Sequence, residues 1–393
     1  MSDSKINRRT FMAAAGATAA VAASGKLSHA QSADPGPNVE WKNRKSTMAY
    51  RRLGRTEMMV SEIVVGGLAV DEQPGQWEFL EPGIDLGINY IDTASNYKRG
   101  GSERGVANVI NTPSKRDRVF LTSKTSMWLK RARAQPYTAI WDTLNIREQA
   151  RVRAEIGARI KEQGVFEEYY LCNYGTWQVT EAEKLLRDDV LEDWYGDRLS
   201  DDIRRGMTQG LITELETSLK NMGTDHVDIL FAAHGATHAK HLECPELLEA
   251  VDILKRQGKV RFLGVSAHND PAFITKAAAD SKHYDMAMVA YNISNEDWMT
   301  PALEYAHKKD LGIVAMKVAR APHPDRGGEV DPLSGLVEKM HKLVPGDMHI
   351  AEKAYIWGLR NPHIAACISA MTSEDMIHSN AALTGQSKHA VRG

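Results

Sequence analysis

The feature that most constrains the fold of this chain is a regular alternation of short apolar runs with longer amphipathic stretches. Eight such runs are predicted as strands: Ile63–Gly66, Asn89–Ala94, Val119–Lys124, Val227–His234, Val260–His268, Met286–Tyr291, Ile313–Val318 and Ile364–Met371. Strands that alternate with helices predict a parallel sheet, and eight of them favour a closed (β/α)8 TIM barrel over an open doubly wound sheet. A Rossmann domain is disfavoured because no Gly-x-Gly-x-x-Gly follows the first strand.

Helices are predicted between these strands from apolar residues spaced along one face. Glu214–Met222 and Glu246–Arg256 both have this spacing. Lys255–Lys259 places basic residues and a glycine at a helix end. Asp270-Pro271 and Thr300-Pro301 are predicted as a capping residue followed by a first-turn proline.

One interval breaks the alternation. Residues 126–206, between the third strand and its following helix, span about eighty positions where a few would suffice. The interval is rich in charge and in aromatic residues, and Arg147–Gln163 is predicted as a helix. In a barrel this insertion emerges at the carboxyl ends of the strands, where substrates bind. The hypothesis is that it helps to form the substrate cleft; a structural cap or a dimer contact is the alternative.

Charge and cysteine content exclude several function classes. The 393 residues carry a net charge of −2, which gives no basic surface for nucleic acid. The 3 cysteines, Cys172, Cys244 and Cys367, are far apart and form no Cys-x-x-Cys pair. This spacing argues against a zinc site or an iron–sulfur cluster, and we expect no metal and unpaired thiols. Beyond the N-terminus, no apolar run is long enough to span a bilayer, so no stable membrane insertion is expected.

The N-terminus has the order of segments found in secretory signals. Arg8-Arg9 precedes the small apolar stretch 13–23, and Ser28-His29-Ala30 offers a small-residue cleavage site. The paired arginines followed by Phe11 resemble a bacterial twin-arginine signal. A disordered basic tail is the alternative.

This resemblance implies a signal peptide over residues 1–30, followed by a polar linker over 31–47 and a barrel over 48–393. It also implies export to the periplasm, with the twin-arginine translocation machinery as a partner.

Chemically useful side chains follow three consecutive predicted strands. Asp92 lies near the end of the second strand, Lys124 ends the third and His234 the fourth, and Tyr97 lies just beyond the second. In a barrel, all four would converge on one mouth. Each of them alone is more often structural than catalytic, but together they predict a catalytic centre. His238, His241 and His268 lie near this region without a convincing metal-ligand spacing.

The chain resembles the aldo/keto reductases from about Tyr50 to about Ala382, outside the insertion. The resemblance is carried by the stretch Gly87–Ala94, with Tyr97 and Ser102-Glu103 after it. It implies an oxidoreductase that interconverts a carbonyl and an alcohol, with an aldehyde, ketone or sugar as substrate.

By the same resemblance, Tyr97 is the proton donor, or the base in the oxidative direction. A nearby cation such as Lys124 lowers the pKa of a tyrosine, and Asp92 would hold that lysine. His234 would orient the carbonyl or assist the proton transfer.

The resemblance also implies a bound NADP(H) or NAD(H), contacted by Gly66, Ser266, Lys317, Ser373 and Asn380. The chain departs from the family pattern at several cofactor positions, which are Ala267 for an asparagine, Met288 for a glutamine and Met376 for an arginine that grips the 2′-phosphate. Because methionine cannot pair with a phosphate, the preference between the two dinucleotides stays open.

Two other functions are consistent with the sequence. One is an enzyme that keeps its dinucleotide bound and recycles it internally, as a sugar epimerase or glycoside-modifying enzyme would. The other is a non-catalytic regulatory barrel that binds dinucleotide without turnover. The presence of Tyr97 beside Asp92, Lys124 and His234 favours the oxidoreductase, since a pure binding protein has no need of the tyrosine.

Overall fold

The computed structural model describes residues 38–167, 176–320, 335–387 and 391–392. The predicted signal peptide, the first part of the predicted linker and Cys172 lie outside the described residues. Tyr169, Tyr170 and Tyr174 of the aromatic insertion also lie outside them.

The strands of the described residues are β1 (Glu40–Trp41), β2 (Ala49–Arg52), β3 (Met58–Ser61), β4 (Ile63–Gly66), β5 (Tyr90–Asp92), β6 (Phe120–Lys124), β7 (Val227–Phe231), β8 (Val260–Ala267), β9 (Met286–Ala290), β10 (Gly312–Met316), β11 (Ala366–Ser369) and β12 (Val391–Arg392).

The α-helices of the described residues are α1 (Leu80–Leu86), α2 (Gly101–Val109), α3 (Pro113–Arg116), α4 (Ala134–Thr143), α5 (Ile146–Glu162), α6 (Thr176–Tyr195), α7 (Asp201–Met222), α8 (Pro245–Arg256), α9 (Pro271–Asp280), α10 (Glu296–Lys308), α11 (Leu336–Leu343), α12 (Ile350–Leu359) and α13 (Glu374–Ala382).

Strands β4 to β11 form a closed barrel in which every neighbouring pair is parallel and β11 pairs with β4. The predicted (β/α)8 barrel is therefore confirmed. Asp92 is in register with Thr122 and Lys124 with Phe231, so the carboxyl ends of β5, β6 and β7 lie at similar heights. Side chains that follow these strands consequently share one rim.

Alternation along each strand divides the apolar side chains into two layers. Tyr90, Phe120 and Phe231 belong to the cluster that fills the barrel interior. Their sequence neighbours, such as Ile91 and Leu121, belong to the layer between the barrel and its surrounding helices. Asp92 lies two residues after Tyr90 and Lys124 lies four residues after Phe120, and these even spacings place both at the top of the interior layer.

Several predicted strands extend too far at their carboxyl ends. β7 ends at Phe231 instead of His234, β8 at Ala267 instead of His268, and β11 at Ser369 instead of Met371. The residues beyond these ends, such as Ala232 and Ala233, stay buried although the strand pairing has stopped. An apolar run in the sequence therefore indicates burial, which continues into the rim beyond the last paired residue.

One helix start is wrong. Pro301 lies inside α10, which begins at Glu296, so Thr300-Pro301 does not start a helix. Asn295, just before α10, accepts a hydrogen bond from the Asn292 amide, and this turn begins the helix earlier. The burial of the α10 face that contains Met299 then stabilises the helix by more than a proline in its interior destabilises it.

The other predicted helices are present. Glu246–Arg256 falls within α8 and Glu214–Met222 within α7. Pro271 is the first residue of α9, although Asp270 in front of it makes no side-chain capping bond.

The long interval after β6 is mostly helical. It contains α4, α5 and α6, and the predicted helix Arg147–Gln163 forms α5. α7 begins at Asp201, capped by the hydroxyl of Ser200, which accepts from the Ile203 amide. The segment packs as a layer of its own, with α6 contacting both α4 and α5.

A small sheet with the order β1-β3-β2-β12 lies against the amino-terminal end of the barrel. Leu53, Met58 and Val60 from this region join the interior cluster and close that end. No helix of the described ranges is long and apolar enough to cross a bilayer. Cys244 and Cys367 are buried free thiols.

Candidate active site

A buried ion pair lies at the base of the cavity. Lys124 Nζ donates to Asp92 Oδ2 at 2.5 Å and to the carbonyl oxygen of Thr93 at 2.8 Å. The other carboxylate oxygen, Asp92 Oδ1, accepts from the hydroxyl of Thr122 at 2.8 Å. Asp92 and Lys124 are each 1 % exposed. Both oxygens of the carboxylate are thus occupied, which fixes the position of the lysine ammonium.

Tyr97 lies directly beside this pair. The ammonium of Lys124 is 4.9 Å from the centroid of the Tyr97 ring, and the phenol hydrogen-bonds to the lysine side chain. Burial alone would lower the pKa of Lys124, but the charge of Asp92 and the contact with Tyr97 outweigh burial and raise it. The lysine is therefore a permanent cation next to the phenol oxygen.

His234 completes the group from the turn after β7. Burial, reinforced by the nearby charges of Lys124, Lys130 and Lys317, lowers the pKa of His234 to about 3. The imidazole is consequently neutral near physiological pH, with one nitrogen as donor and the other as acceptor. Its Nδ1 atom is buried and has no hydrogen-bond partner within the described part of the chain.

A carboxylate from the helix after the insertion holds the loop that carries the tyrosine. Glu214 Oε1 accepts from the Ser95 hydroxyl at 2.6 Å and from the Met127 amide at 3.0 Å. Ser95 precedes Tyr97 by two residues, and Met127 follows Lys124 by three. Glu214 on α7 therefore ties the loops after β5 and β6 to each other.

Ser102 and Glu103, which belong to the motif noted in the sequence, act as structural anchors. The Ser102 hydroxyl donates to the Gly67 carbonyl oxygen and bonds the Thr93 hydroxyl, both at 2.7 Å. Glu103 accepts from the Ser123 hydroxyl at 2.8 Å. These bonds fasten α2 to the rims of β4, β5 and β6, on either side of the ion pair.

The four side chains open into one cavity of about 460 Å³ at the carboxyl ends of the strands. Eight of the nine residues predicted for the site line it: Gly66, Asp92, Tyr97, Lys124, His234, Ser266, Lys317 and Asn380. Ser373 does not line it; its hydroxyl caps α13 by accepting from the Met376 amide. Ser373 therefore affects the cavity only indirectly, by capping α13.

Ser266 and Asn380 lie in different parts of this cavity. Ser266 projects from the end of β8, and its buried hydroxyl has no hydrogen-bond partner among the described residues. Asn380 on α13 donates to the Ser369 hydroxyl at 3.2 Å, and Tyr355 donates to the same hydroxyl at 3.0 Å. Ser266 is thus available to a ligand, whereas Asn380 is oriented by its neighbours.

Several cavity residues escape the sequence analysis. Arg320, Tyr355 and Glu352 line the cavity, yet none follows a strand directly. Tyr355 and Glu352 come from α12, whose approach to the rim depends on packing. His268 also lines the cavity, and its spacing of two from Ser266 on β8 is the sequence signal that indicates the same wall. Within the described ranges, no cluster of potential ligands could hold a metal ion.

Comparison with protein families identifies the chain. The model of the aldo/keto reductase family matches residues 63–155 and 160–322, more than half of the sequence. The chain belongs to the aldo/keto reductase family. The match includes Asp92, Tyr97, Lys124 and His234 but ends before α13. This aldo/keto reductase is thus an oxidoreductase on a (β/α)8 barrel.

Individual relatives are distant. The Bacillus subtilis oxidoreductase YqkF is 22% identical over 350 residues, covering 85% of this chain and 90% of its own length. The aldo-keto reductase AMT2 of Alternaria alternata is 24% identical over 308 residues, covering 73% of this chain and 71% of its own. Both alignments extend over most of the described barrel.

Solved structures share the fold at low identity. The aldo-keto reductase AKR11C1 of Bacillus halodurans in its holo form superimposes with a TM-score of 0.55 at 19% identity, over 86% of this chain and 90% of its own. An aldo-keto reductase of Klebsiella pneumoniae in complex with NADPH superimposes with a TM-score of 0.52 at 20% identity, over 86% of this chain and 89% of its own.

Proposed function

We propose that this aldo/keto reductase interconverts a carbonyl and an alcohol, with an aldehyde, ketone or sugar as substrate and NADP(H) or NAD(H) as cofactor. Tyr97 is the proton donor in reduction and the base in oxidation, assisted by Lys124, Asp92 and His234. The observation that carries the proposal is the contact of Tyr97 with a lysine that is itself paired with a buried carboxylate.

The proton transfer follows from this arrangement. Reduction of a carbonyl leaves an alkoxide that must be protonated, and the phenol of Tyr97 is the acid at the base of the cavity. The charge of Lys124 stabilises the resulting phenolate. Asp92 keeps the ammonium in place, so that no reorganisation is required when the phenolate forms. His234, as a neutral imidazole, can donate a hydrogen bond to the carbonyl oxygen.

The residues present fit a dinucleotide. A bound nicotinamide supplies or accepts the hydride. The unpartnered hydroxyl of Ser266 suits a carboxamide, and Lys317 and Arg320 place two cations in the same cavity, where phosphates would bind. Met376, Ser379 and Asn380 of α13 line the same cavity, and the adenine end would bind beside this helix.

Both forms of the dinucleotide are compatible with this cavity. Met376 lines it without offering a charge to a 2′-phosphate, which favours NAD(H). Arg320 could supply that charge from the loop after β10, which favours NADP(H). The Klebsiella pneumoniae relative is in complex with NADPH.

The test compares the chain with its Tyr97→Phe variant. Purified protein is denatured and the released NAD(H) and NADP(H) are measured; protein that releases none is titrated with each dinucleotide. Turnover is then assayed on a panel of aldehydes, ketones and sugars. We expect one dinucleotide to bind both proteins equally and Tyr97→Phe to lower kcat by about 100-fold or more, because only the proton donor has been removed.

Two outcomes would contradict the proposal. Equal turnover by Tyr97→Phe would exclude the tyrosine as proton donor. A chain that neither releases nor takes up a dinucleotide would not be an oxidoreductase of this type, whatever its family.

We also infer from the sequence that the chain is exported through a twin-arginine signal over residues 1–30, ahead of a linker over 31–47 and a barrel domain over 48–393. Fractionation of bacteria expressing the full chain tests this localisation. We expect the protein in the periplasm and its retention in the cytoplasm after the double change Arg8→Lys and Arg9→Lys. Equal export of both proteins would contradict a twin-arginine route.

A further inference from the structure

The loop after β7 carries His234 on a tight turn. The Ala236 amide donates to the carbonyl oxygen of Ala233 at 3.2 Å, which closes a β-turn with His234 at its second position. Gly235, at the third position, has a φ of +80°, and its amide donates to the carbonyl oxygen of Ser266 on β8 at 2.9 Å. The middle of the turn is thus fastened to the barrel.

The end of this turn is held by the side chain of His241. Thr237, which directly follows the turn, is 1 % exposed, and its amide donates to His241 Nδ1 at 3.3 Å. A buried amide without a partner is costly, so the imidazole ring fixes where the turn ends. Because an amide can only donate, Nδ1 of His241 is an acceptor and the ring hydrogen is on Nε2.

A carboxylate of the insertion orients this ring. His241 Nε2 donates to Asp189 Oδ2 at 2.9 Å, and the other carboxylate oxygen accepts from Arg133 Nη2 at 2.7 Å. Asp189 belongs to α6, Arg133 directly precedes α4, and all three side chains are buried. Burial alone would raise the pKa of Asp189, but the contact with His241 and the charge of Arg133 outweigh burial and lower it. The carboxylate therefore stays ionised and holds the imidazole from the insertion.

The position of His234 depends on the turn. Its buried Nδ1 has no hydrogen-bond partner among the described residues, so no bond at that atom fixes the ring. The backbone of the turn sets where the imidazole lies in the cavity, and the turn ends at the amide that His241 binds. A displacement of about 1 Å at a reacting group can cost about 100-fold in rate.

We propose that His241 is a positioning residue for the reaction, because it fixes the turn that carries His234, and that Asp189 holds His241 in this role. The inference rests on the proposed function, in which His234 hydrogen-bonds the reacting carbonyl. It gives the insertion a part in turnover, since buried hydrogen bonds connect two of its segments to the loop after β7.

Three variants of the full-length chain separate the two bonds of His241. His241→Asn places an oxygen near the site of Nδ1 and keeps the bond from Thr237, His241→Gln reaches the site of Nε2 and keeps only the bond to Asp189, and His241→Leu keeps neither. We expect kcat/KM, measured with the best carbonyl substrate of the panel, to fall by about 10- to 100-fold in the Leu and Gln variants. The Asn variant should recover part of this loss, and dinucleotide affinity should stay unchanged in all three.

His234→Ala shows whether the loss passes through His234. A residue that acts by positioning an imidazole has little left to act on once that imidazole is absent, so the two effects should not add. We expect His241→Leu to change kcat/KM by less than about 2-fold in the His234→Ala background. A purely structural defect would reduce kcat/KM by the same factor in both backgrounds.

The double change Arg133→Met and Asp189→Leu tests the role of the insertion. It removes the ion pair as a whole, so that no charge is left buried alone. We expect a smaller fall in kcat/KM than in His241→Leu, because the imidazole still accepts from the Thr237 amide but is no longer oriented. This fall should also disappear in the His234→Ala background.

The matched control is Lys240→Met. Lys240 adjoins His241 and pairs at the surface with Asp193 of α6. The control therefore removes a bond between the same loop and the same helix without removing the acceptor of the Thr237 amide. It should leave kcat/KM and dinucleotide affinity unchanged.

The inference is overturned if the His241 variants keep full kcat/KM, lose only dinucleotide affinity, or lose the same factor in the His234→Ala background. Equal activity of His241→Asn and His241→Gln would also overturn it, and this pair decides the matter if His241→Leu does not fold. Failure of the proposed function gives a different pattern, in which the unmodified chain binds no dinucleotide or Tyr97→Phe is fully active. Activity that depends on Tyr97 and His234 but is indifferent to His241 rejects this inference alone.

Discussion

Lys124 acts on two neighbours in opposite ways. Its charge favours the anionic form of Tyr97, which it contacts, and disfavours the cationic form of His234, whose pKa it helps to lower. Asp92 makes a charged lysine tolerable in this buried position. One ammonium thus favours a deprotonated phenol on one side and a neutral imidazole on the other.

The depressed pKa of His234 makes stability depend on pH. Between about pH 6.5 and pH 3 the unfolded chain binds a proton that the folded chain does not, so stability falls as the pH falls. We expect the free energy of unfolding to drop by about 2 kcal/mol more in the unmodified chain than in His234→Asn between pH 6.5 and pH 4.5. Urea-induced unfolding at the two pH values measures the difference.

His378→Asn, at an exposed site on α13, is the control for this comparison. It should follow the unmodified chain at both pH values. Parallel pH dependence of the His234→Asn and unmodified proteins would show that His234 is not buried as a neutral imidazole.

At this scale the sequence predicts residues that follow strands and misses those that do not. Asp92, Lys124 and His234 are found because strand ends in a barrel face one rim, whereas Ser266 and Asn380 are found through the family resemblance. Arg320 and Tyr355 are missed because their position in the cavity depends on a loop and on the packing of α12. Ser266 and Asn380 both line the cavity, which supports their predicted contacts with a dinucleotide; the contacts themselves stay predictions.

At the scale of elements, the loop after β5 has an unusual backbone. Lys98, Arg99 and Gly100, directly after Tyr97, have φ values of +50°, +55° and +85°. Left-handed backbone is unfavourable for residues with a Cβ, and such strain tends to occur at functional sites. The run turns the chain sharply from the tyrosine into α2.

Gly100→Ala probes this turn. A Cβ would lie 2.8 Å from Arg104 Nη1 and 3.1 Å from Asn221 Nδ2 at an already unfavourable φ. We expect the variant to lose about 1 kcal/mol of stability and to turn over more slowly, because Tyr97 shifts with the loop. Thermal unfolding and steady-state kinetics measure the two effects.

The matched control is Gly206→Ala in α7, where a Cβ meets nothing within 4 Å. Alanine there should stabilise the chain by about 0.5–1 kcal/mol, because glycine is unfavourable inside a helix. A Gly100→Ala variant as stable and as active as Gly206→Ala would mean that the turn tolerates a side chain.

Strands and helices differ in how far the sequence predicts them. The strand starts are found to within a few residues, since an apolar run begins where pairing begins. Their ends are overextended at His234 and His268 because the barrel rim stays buried beyond the last paired residue. The early start of α10 is missed because burial of its face outweighs Pro301.

At the scale of the molecule, the two ends of the barrel differ in structure, because one is open and the other is closed. The cavity lies at the carboxyl ends of the strands, and the small sheet closes the other end. Arg51, 5 % exposed, bonds Glu62 Oε1 at 2.7 Å and the carbonyl oxygen of Ile364 at 2.7 Å. This buried pair joins β2 to the start of β4 and to the segment before β11.

Arg51→Met should therefore change stability and not chemistry. It leaves Glu62 buried without its cation, and we expect a loss of about 3–5 kcal/mol in the free energy of unfolding. At temperatures where the variant is folded, kcat and KM should match those of the unmodified chain. Adding Glu62→Gln should restore part of the stability. A changed kcat in fully folded Arg51→Met would contradict the inference that this end of the barrel contributes to stability and not to turnover.

The bonds of Glu214 have a consequence for recombination between related chains. The same carboxylate accepts from Ser95, in the tyrosine loop, and from Met127, near the first residues of the insertion. Trp128 donates its indole N–H to the carbonyl oxygen of Met207, in α7, at 2.8 Å. We therefore expect exchange of the insertion between homologues to leave the tyrosine loop undisturbed when the exchanged segment begins after Trp128 and ends before Met207.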